Sequence, residues 1–212
     1  MRIGRGWFSA IAVLLFLMAT GSVAYGQAQR VRWDIILLTP GPGGVGATVN
    51  AGGQASAKDN QYSTPANDNQ GNTLTLTGHG TFVAPAGGGG TSGAVTCGDC
   101  TWTLTPVVGA SSSGTYSVTG LVRWEEAPGT FPANFDNIGS PANFRPGLAV
   151  LRIEYSDGSH GILVVSCHGA GTPDTVFEGI TASKDFVDYW HRQAPSGTPA
   201  GPNANRTAFH LE

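Results

Sequence analysis

Charge is scarce in this chain: only 12% of its 212 residues are Asp, Glu, Lys or Arg, about half the usual share. Long solvent-facing helices need Glu, Lys and Arg, so a helical architecture is excluded at the outset. No basic patch occurs and the formal net charge is −3, which argues against nucleic acid and against anionic membrane surfaces. Cysteine is limited to three residues. They supply one CxxC pair, whereas structural zinc sites need two such pairs or added histidines at ligand spacing. There is no Gly-x-Ser-x-Gly elbow and no HExxH helix, which removes the commonest serine-hydrolase and zinc-protease signatures. Beyond the first residues no apolar run is long enough to span a bilayer.

The first 26 residues read as a secretory signal peptide. Arg2 and Arg5 form a positive start, residues 11–19 are apolar, and Ser22, Ala24 and Gly26 offer small side chains for cleavage between Ala24 and Ala28. Removing both arginines moves the formal charge by two, from −3 to −5. The expected location is secreted or periplasmic, where cysteines oxidise. Residues 27–192 then form a single β domain, and residues 193–212, dominated by Pro, Gly, Ala, Ser and Asn, are expected to be a disordered tail.

What the domain has is glycine, 32 residues of it, between short stretches that alternate apolar and polar side chains. Val31–Leu38 is apolar enough to be buried on both faces. Thr73–Ala84 places Leu74, Leu76 and Phe82 on one face and threonines with His79 on the other. Ala94–Thr105 and Gly114–Glu125 follow; in the latter Tyr116, Val118, Val122 and Trp124 are expected to share the inner face. Residues 148–156 and 160–168 flank Asp157-Gly158, the signal for a two-residue hairpin turn. That turn would set Ile153 opposite Ile162 and Leu151 opposite Val164. Val176–Ala182 is a further strand, after which Ser183 can cap a short helix with Phe186, Val187 and Trp190 on one face. The expected fold is all-β: an antiparallel β-barrel or β-sandwich of about eight strands with one short C-terminal helix.

Several local patterns invite chemistry. Gly41-Pro42-Gly43-Gly44-Val45-Gly46 fits a dinucleotide fingerprint, but no helix follows to aim amides at a pyrophosphate, so a turn is the reading. For Cys97 and Cys100 the alternation changes phase: Val95 is in step with Cys97, Trp102 and Leu104 with Cys100. That places a bulge or tight turn at Gly98-Asp99, which can bring the sulfurs together as a structural disulfide. A metal half-site, a redox pair, or a bond from either cysteine to Cys167 are the alternatives. Cys167 and His168 are neighbours on a strand and point to opposite faces, and His160 lies too far along the strand to share a metal with His168. No metal site and no cofactor are expected. Glu125, Glu126, Glu178, Asp185 and Asp188 could in principle supply a carboxylate pair; solvated strand ends are the default reading. Asn205-Arg206-Thr207 is a glycosylation sequon.

Residues 127–146 carry four prolines and the phenylalanines Phe131, Phe135 and Phe144. Loops of this length are often functional. The three rings either plug one end of the core or rim a binding mouth.

The segments GTFVAP, CTWTL, GTYSVTGLVRWEEAPGTFP, GLAVLRIEYSDGSHGILVVSCH and VFEGITASKDFVDYW resemble a family of uncharacterised secreted bacterial β-rich proteins of unknown function. The resemblance covers residues 73–190 and implies a bacterial, exported setting; it carries no site residues. The functional expectation is an exported non-catalytic β module that binds a small ligand or a surface partner. The alternative is an exported enzyme or metalloprotein using Cys97 and Cys100 or the acidic clusters.

Overall fold

The computed structural model describes residues 28–60, 70–84, 95–193 and 205–212. The signal-peptide segment lies outside these residues. The strands, in chain order, are β1 (Gln29–Pro40), β2 (Ala47–Ala51), β3 (Gln54–Lys58), β4 (Thr73–Thr77), β5 (His79–Ala84), β6 (Thr101–Thr105), β7 (Ser112–Glu126), β8 (Phe135–Asp136), β9 (Gly147–Tyr155), β10 (His160–Cys167), β11 (Gly179–Lys184), β12 (Val187–Tyr189), β13 (His191–Arg192) and β14 (Thr207–Leu211). Helical turns among the described residues are two short 3-10 segments, Pro42–Gly44 and Pro141–Asn143, so no helix there is long enough to cross a membrane. The glycine-proline run after β1 is one of these turns and leads directly into β2.

Nine strands make an antiparallel, barrel-like sheet in the order β12-β11-β10-β9-β7-β6-β4-β3-β13. It is nearly closed, because β3 returns beside β11. A second sheet, β14-β1-β2-β8 with β5 also on β1, covers it. One core cluster contains side chains of both. β1 is buried on both faces, as its composition requires. Val31, Trp33 and Ile35 are 0% exposed on one face, and Asp34, Ile36 and Leu38 are buried on the other.

Thr73–Ala84 keeps a single alternation but serves two sheets. β4 pairs with β3 and β6, while β5 pairs with β1. The corner is Gly78, at φ 134°, where an added Cβ would lie 2.5 Å from Cys100 Sγ. Both the backbone and the close approach demand glycine here.

Four expectations are corrected. In β7, register shifts against β9 between Val118 and Gly120 and between Leu121 and Arg123 turn Leu121 inward and leave Val122 39% exposed; such irregularities break strict alternation. In the β9–β10 hairpin the turn has three residues, not two. Tyr155 N donates to Ser159 O at 2.9 Å, Gly158 N donates to Tyr155 O at 2.9 Å, and Gly158 has φ 86°. Asp157 Oδ1 accepts from both the Ser159 amide and hydroxyl. The register moves by one, so Leu151 faces Leu163 and Ile153 faces Gly161. A shift of one turns the partner strand over, and Leu163, Val165 and Cys167 are the buried apolar residues of β10. The expected C-terminal helix is a hairpin: Asp185, at φ 51°, reverses the chain from β11 into β12. Tyr189 is buried opposite Ala182, and Phe186 and Trp190 project outward. Finally, residues 205–212 of the expected disordered tail are ordered, and residues 194–204 lie outside the described residues. Thr-Ala-Phe-His-Leu forms β14, paired along β1 from Val31↔Leu211 to Ile35↔Thr207. Ala208 and Phe209 are buried there, because β1 offers an apolar edge that this run completes.

The register has a direct test. Leu163→Ala should lower unfolding free energy by about 3 kcal/mol, because it empties a fully buried site. Ile162→Ala, on the half-exposed face, should cost less than about 1 kcal/mol. Denaturant melts that reverse this order would restore the two-residue turn.

Candidate functional site

Cys97 and Cys100 form a disulfide with Cα atoms 5.9 Å apart. The expected tight turn is present: Asp99 takes φ 51°. Gly98 and His79 exchange both backbone hydrogen bonds, Gly98 N to His79 O at 2.7 Å and the reverse at 3.1 Å. A side chain on Gly98 would meet the His79 ring at 2.7 Å. His79 therefore caps this turn. Cys100 O accepts from Tyr116 N and Cys100 Sγ lies against the Gly78 corner, so the disulfide-bonded turn sits where β6 meets β7. It contributes nothing to the cavity described below.

Residues 127–146 are ordered by contacts at both ends. Thr130 and Ala170 exchange backbone hydrogen bonds, each 2.9 Å, and Arg145 N donates to Phe209 O at 2.9 Å. At the middle, β8 lies parallel to β2, pairing Phe135 with Thr48 and Asp136 with Val49. Asp136 Oδ1 accepts from the Ile138 and Gly139 amides, and Oδ2 lies 2.7 Å from His210 Nε2. Both side chains are almost wholly buried, at 0% and 3% exposure. This pair clamps the loop onto β14. The His210 ring packs edgewise against Phe144, which packs in turn on Phe131 at 5.3 Å between centroids.

The three phenylalanines therefore separate. Phe144 is buried and Phe131 partly so, whereas Phe135 is 40% exposed and rests over Gly41. Phe131 and Phe144 form one wall of a cavity of about 380 Å³. Ile36 and Leu38 of β1, Ala47 and Val49 of β2, and Ala133 of the loop complete its apolar surface. The polar groups gather where β10 ends and β14 begins: Cys167, His168, Glu178, Arg206 and Thr207. A mostly apolar cavity with a few convergent polar groups is the usual form of a small-molecule site.

Glu178 is held by two backbone donors, His168 N to Oε2 and Thr207 N to Oε1, both at 2.7 Å. Burial lifts its carboxyl to about 7, against the opposing pull of those amides and of the Arg206 charge. His168 Nδ1 lies 2.8 Å from Val176 O. A carbonyl only accepts, so Nδ1 carries a proton. Cys167 is 1% exposed; burial pushes its thiol well above the ordinary range, with the Glu178 charge adding to it, so it is not a nucleophile at neutral pH. Arg206 Nε is shielded from solvent and has no hydrogen-bond partner among the described residues.

The remaining acidic candidates do not converge. Glu125 pairs with Arg123, Glu126 lies 3.4 Å from Arg145, and Asp185 accepts from His160 N at 3.3 Å. Asp188 stands on the outer face beside Trp190. Among the described residues no three His, Cys, Asp or Glu side chains are grouped to hold a metal ion. The sequon asparagine, Asn205, is buried and its Oδ1 accepts from Ser56 N at 2.6 Å, so the folded domain hides it. Sequence reasoning named Glu178 only as an acidic residue and missed Arg206, Asp136 and His210. The alternation Ala208-Phe209-His210 was the available signal for the last.

Fold and site together define an all-β, barrel-like protein with a partly open cavity beside a long clamped loop. Compared with protein-family models, curated proteins and solved structures, the chain has no match in any of the three. The resemblance over residues 73–190 therefore assigns no family.

His210→Ala should lower stability by about 3 kcal/mol, since Asp136 loses a buried partner. Phe135→Ala should cost less than about 1 kcal/mol. Equal losses in chemical denaturation would contradict the clamp. The double variant Cys97→Ser/Cys100→Ser should lose about 2 kcal/mol, the chain-entropy value for so short a loop, or roughly 4–8 °C in Tm. A thiol reagent should count one thiol in the wild type, and only in denaturant; three would refute the disulfide.

Proposed function

We propose that this chain is an exported, non-catalytic β module that binds a small, largely apolar ligand in the cavity between β1, β2 and residues 127–146. The observation that carries the reading is the cavity itself. Its walls are Ile36, Leu38, Val49, Phe131 and Phe144; Asn134 adds a polar group on the loop side, and Cys167, His168, Glu178, Arg206 and Thr207 gather where β10 ends and β14 begins. The volume of about 380 Å³ lies in the range of small-molecule sites. The chemistry of the wall favours binding over catalysis. Cys167 is a buried thiol, and both Glu178 oxygens are engaged by backbone amides. The loop's aromatic rings serve both earlier roles at once: Phe144 seals the core, and Phe131 with Phe144 lines the site. Export to a secreted or periplasmic location is supported by Arg2, Arg5 and the apolar run at 11–19, and agrees with the disulfide.

An uncharged environment-sensitive dye such as Nile red tests the binding. It should brighten with the wild-type protein and saturate at one equivalent. Ala133→Phe, which fills the cavity from the loop side, should weaken the dye at least about tenfold while Tm moves by less than about 4 °C. Wild-type protein that leaves the dye dark, or undiminished binding in a folded Ala133→Phe variant, would refute the reading. Intact mass of the exported product, beginning between Ala24 and Ala28, tests export.

A further inference from the structure

We infer that the cavity takes an amphipathic molecule with an anionic head, the head countered by Arg206 and its arrival balanced by a proton on Glu178. The inference rests on the binding reading above and adds the ligand's chemical class and its coupling to pH.

The polar end of the cavity is unevenly satisfied. Each Glu178 oxygen already accepts a backbone amide at 2.7 Å, whereas Arg206 Nε is buried with no acceptor among the described residues. Buried donors are ordinarily paired, so the group missing from this end is an acceptor. Guanidinium groups favour carboxylate, sulfonate and phosphate oxygens, whose charge strengthens the hydrogen bond. No ion pair within 4.0 Å joins Arg206 to Glu178 among the described residues, which leaves the guanidinium available. The rest of the lining, from Ile36 to Phe144, suits a hydrocarbon body. A cationic head would meet Arg206 as a like charge and leave its donor unpaired.

Glu178 decides the charge balance. With its carboxylate ionised, an incoming anion meets a like charge beside it in a partly enclosed cavity, where repulsion exceeds that in bulk water. With a proton on Glu178, Arg206 and the head neutralise each other. The carboxyl titrates near 7 because it is buried, so the proton is available close to neutrality. Other titratable groups facing Glu178 are Cys167, His168 and Arg206. Of these, His168 has its Nδ1 engaged by Val176 O at 2.8 Å, and the test separates it from Glu178 by substitution.

Calorimetry with three single-chain probes tests this: octanesulfonate, octanol and octyltrimethylammonium. Octanesulfonate keeps its charge at all pH values used. It should bind tightest, and about tenfold more weakly at about pH 8 than at about pH 6, as expected for one coupled proton. Varying the buffer's ionisation enthalpy should give uptake of close to one proton at about pH 8 and close to none at about pH 6. Arg206→Gln should weaken octanesulfonate about tenfold and leave octanol within about twofold. Glu178→Gln, if folded, should remove the pH dependence; the wild-type proton count stands if it is not. Octanol binding without a preference for the sulfonate would overturn the anionic head and spare the cavity reading. Failure of all three probes would defeat both. A proton count that vanishes in His168→Gln but persists in Glu178→Gln would overturn the role of Glu178.

Discussion

Everything in this domain is arranged around β1, which is buried on both faces and bonded along both edges. Residues 31–34 pair with β14 and with β5 at once, and residues 36–40 pair with β2. A strand buried on both faces and paired along both edges over residues 31–34 needs partners drawn from distant parts of the chain, and the C-terminal run returns to supply one. The one wholly buried charged residue of β1 is Asp34, 0% exposed, whose two oxygens accept from Nε and Nη2 of Arg32 at 2.8 Å. A bidentate pair satisfies a carboxylate that burial would otherwise penalise heavily. Against β1's neighbours, Phe82, Trp124 and Phe209 stack at 5.4 and 4.7 Å between centroids. That aromatic cluster joins the small sheet to the barrel-like one.

The polar side of the cavity is built by the segment that leads into β14. Between β3 and β11 the gap is bridged by residues Asn205 to Thr207 rather than by strand pairing. Asn205, at φ 52°, donates its amide to Gln54 O and accepts Ser56 N on its side chain. Asparagine tolerates that left-handed conformation better than most residues. Thr207 Oγ1 donates to Ser166 O at 2.6 Å and its amide is held by Glu178. With both neighbours anchored, Arg206 is set into the cavity wall by the backbone itself. Loop 127–146 then roofs the space, fixed by the Asp136–His210 contact and by β8 on β2.

The strands with long alternation could be read directly. Leu74, Leu76 and Phe82, and the doubly buried Val31–Leu38 run, behave as their patterns require. What could not be read was decided by single residues acting at a distance. Gly78 sends one alternating run into two sheets because Cys100 leaves no room for a Cβ. Gly158 and the Asp157–Ser159 contacts lengthen the hairpin turn by one residue and reverse β10. The apolar residues after Ser183 suit a helix locally, but burying Tyr189 opposite Ala182 outweighs that preference, as tertiary packing commonly does. The site was less legible than the fold, since Glu178, Arg206 and His168 come from three separate segments. Their meeting depends on the very tail whose composition suggested no structure. Among the phenylalanines, composition marked the loop correctly, while the division between buried Phe144 and exposed Phe135 was fixed by the clamp at Asp136.

Glu178 is the one place where folding and the site pull in opposite directions. Its carboxyl is raised from 4.5 to about 7. The folded chain therefore holds a proton that the unfolded chain has released across that window. Stability falls as pH rises between those two values, with a penalty on the order of 3 kcal/mol once the group is ionised. An apolar residue would avoid the penalty but would strand the His168 and Thr207 amides that the carboxyl receives, at about 1–3 kcal/mol each. A neutral amide side chain could accept only one of them. A carboxyl with a proton near neutrality answers both demands: it accepts from the two strand ends that form the cavity wall, and it can drop its charge when another anion enters. The same two hydrogen bonds that hold the start of β14 against the end of β10 thus place a titratable group beside Arg206, so the contact between the two sheets and the polar side of the cavity are a single structure.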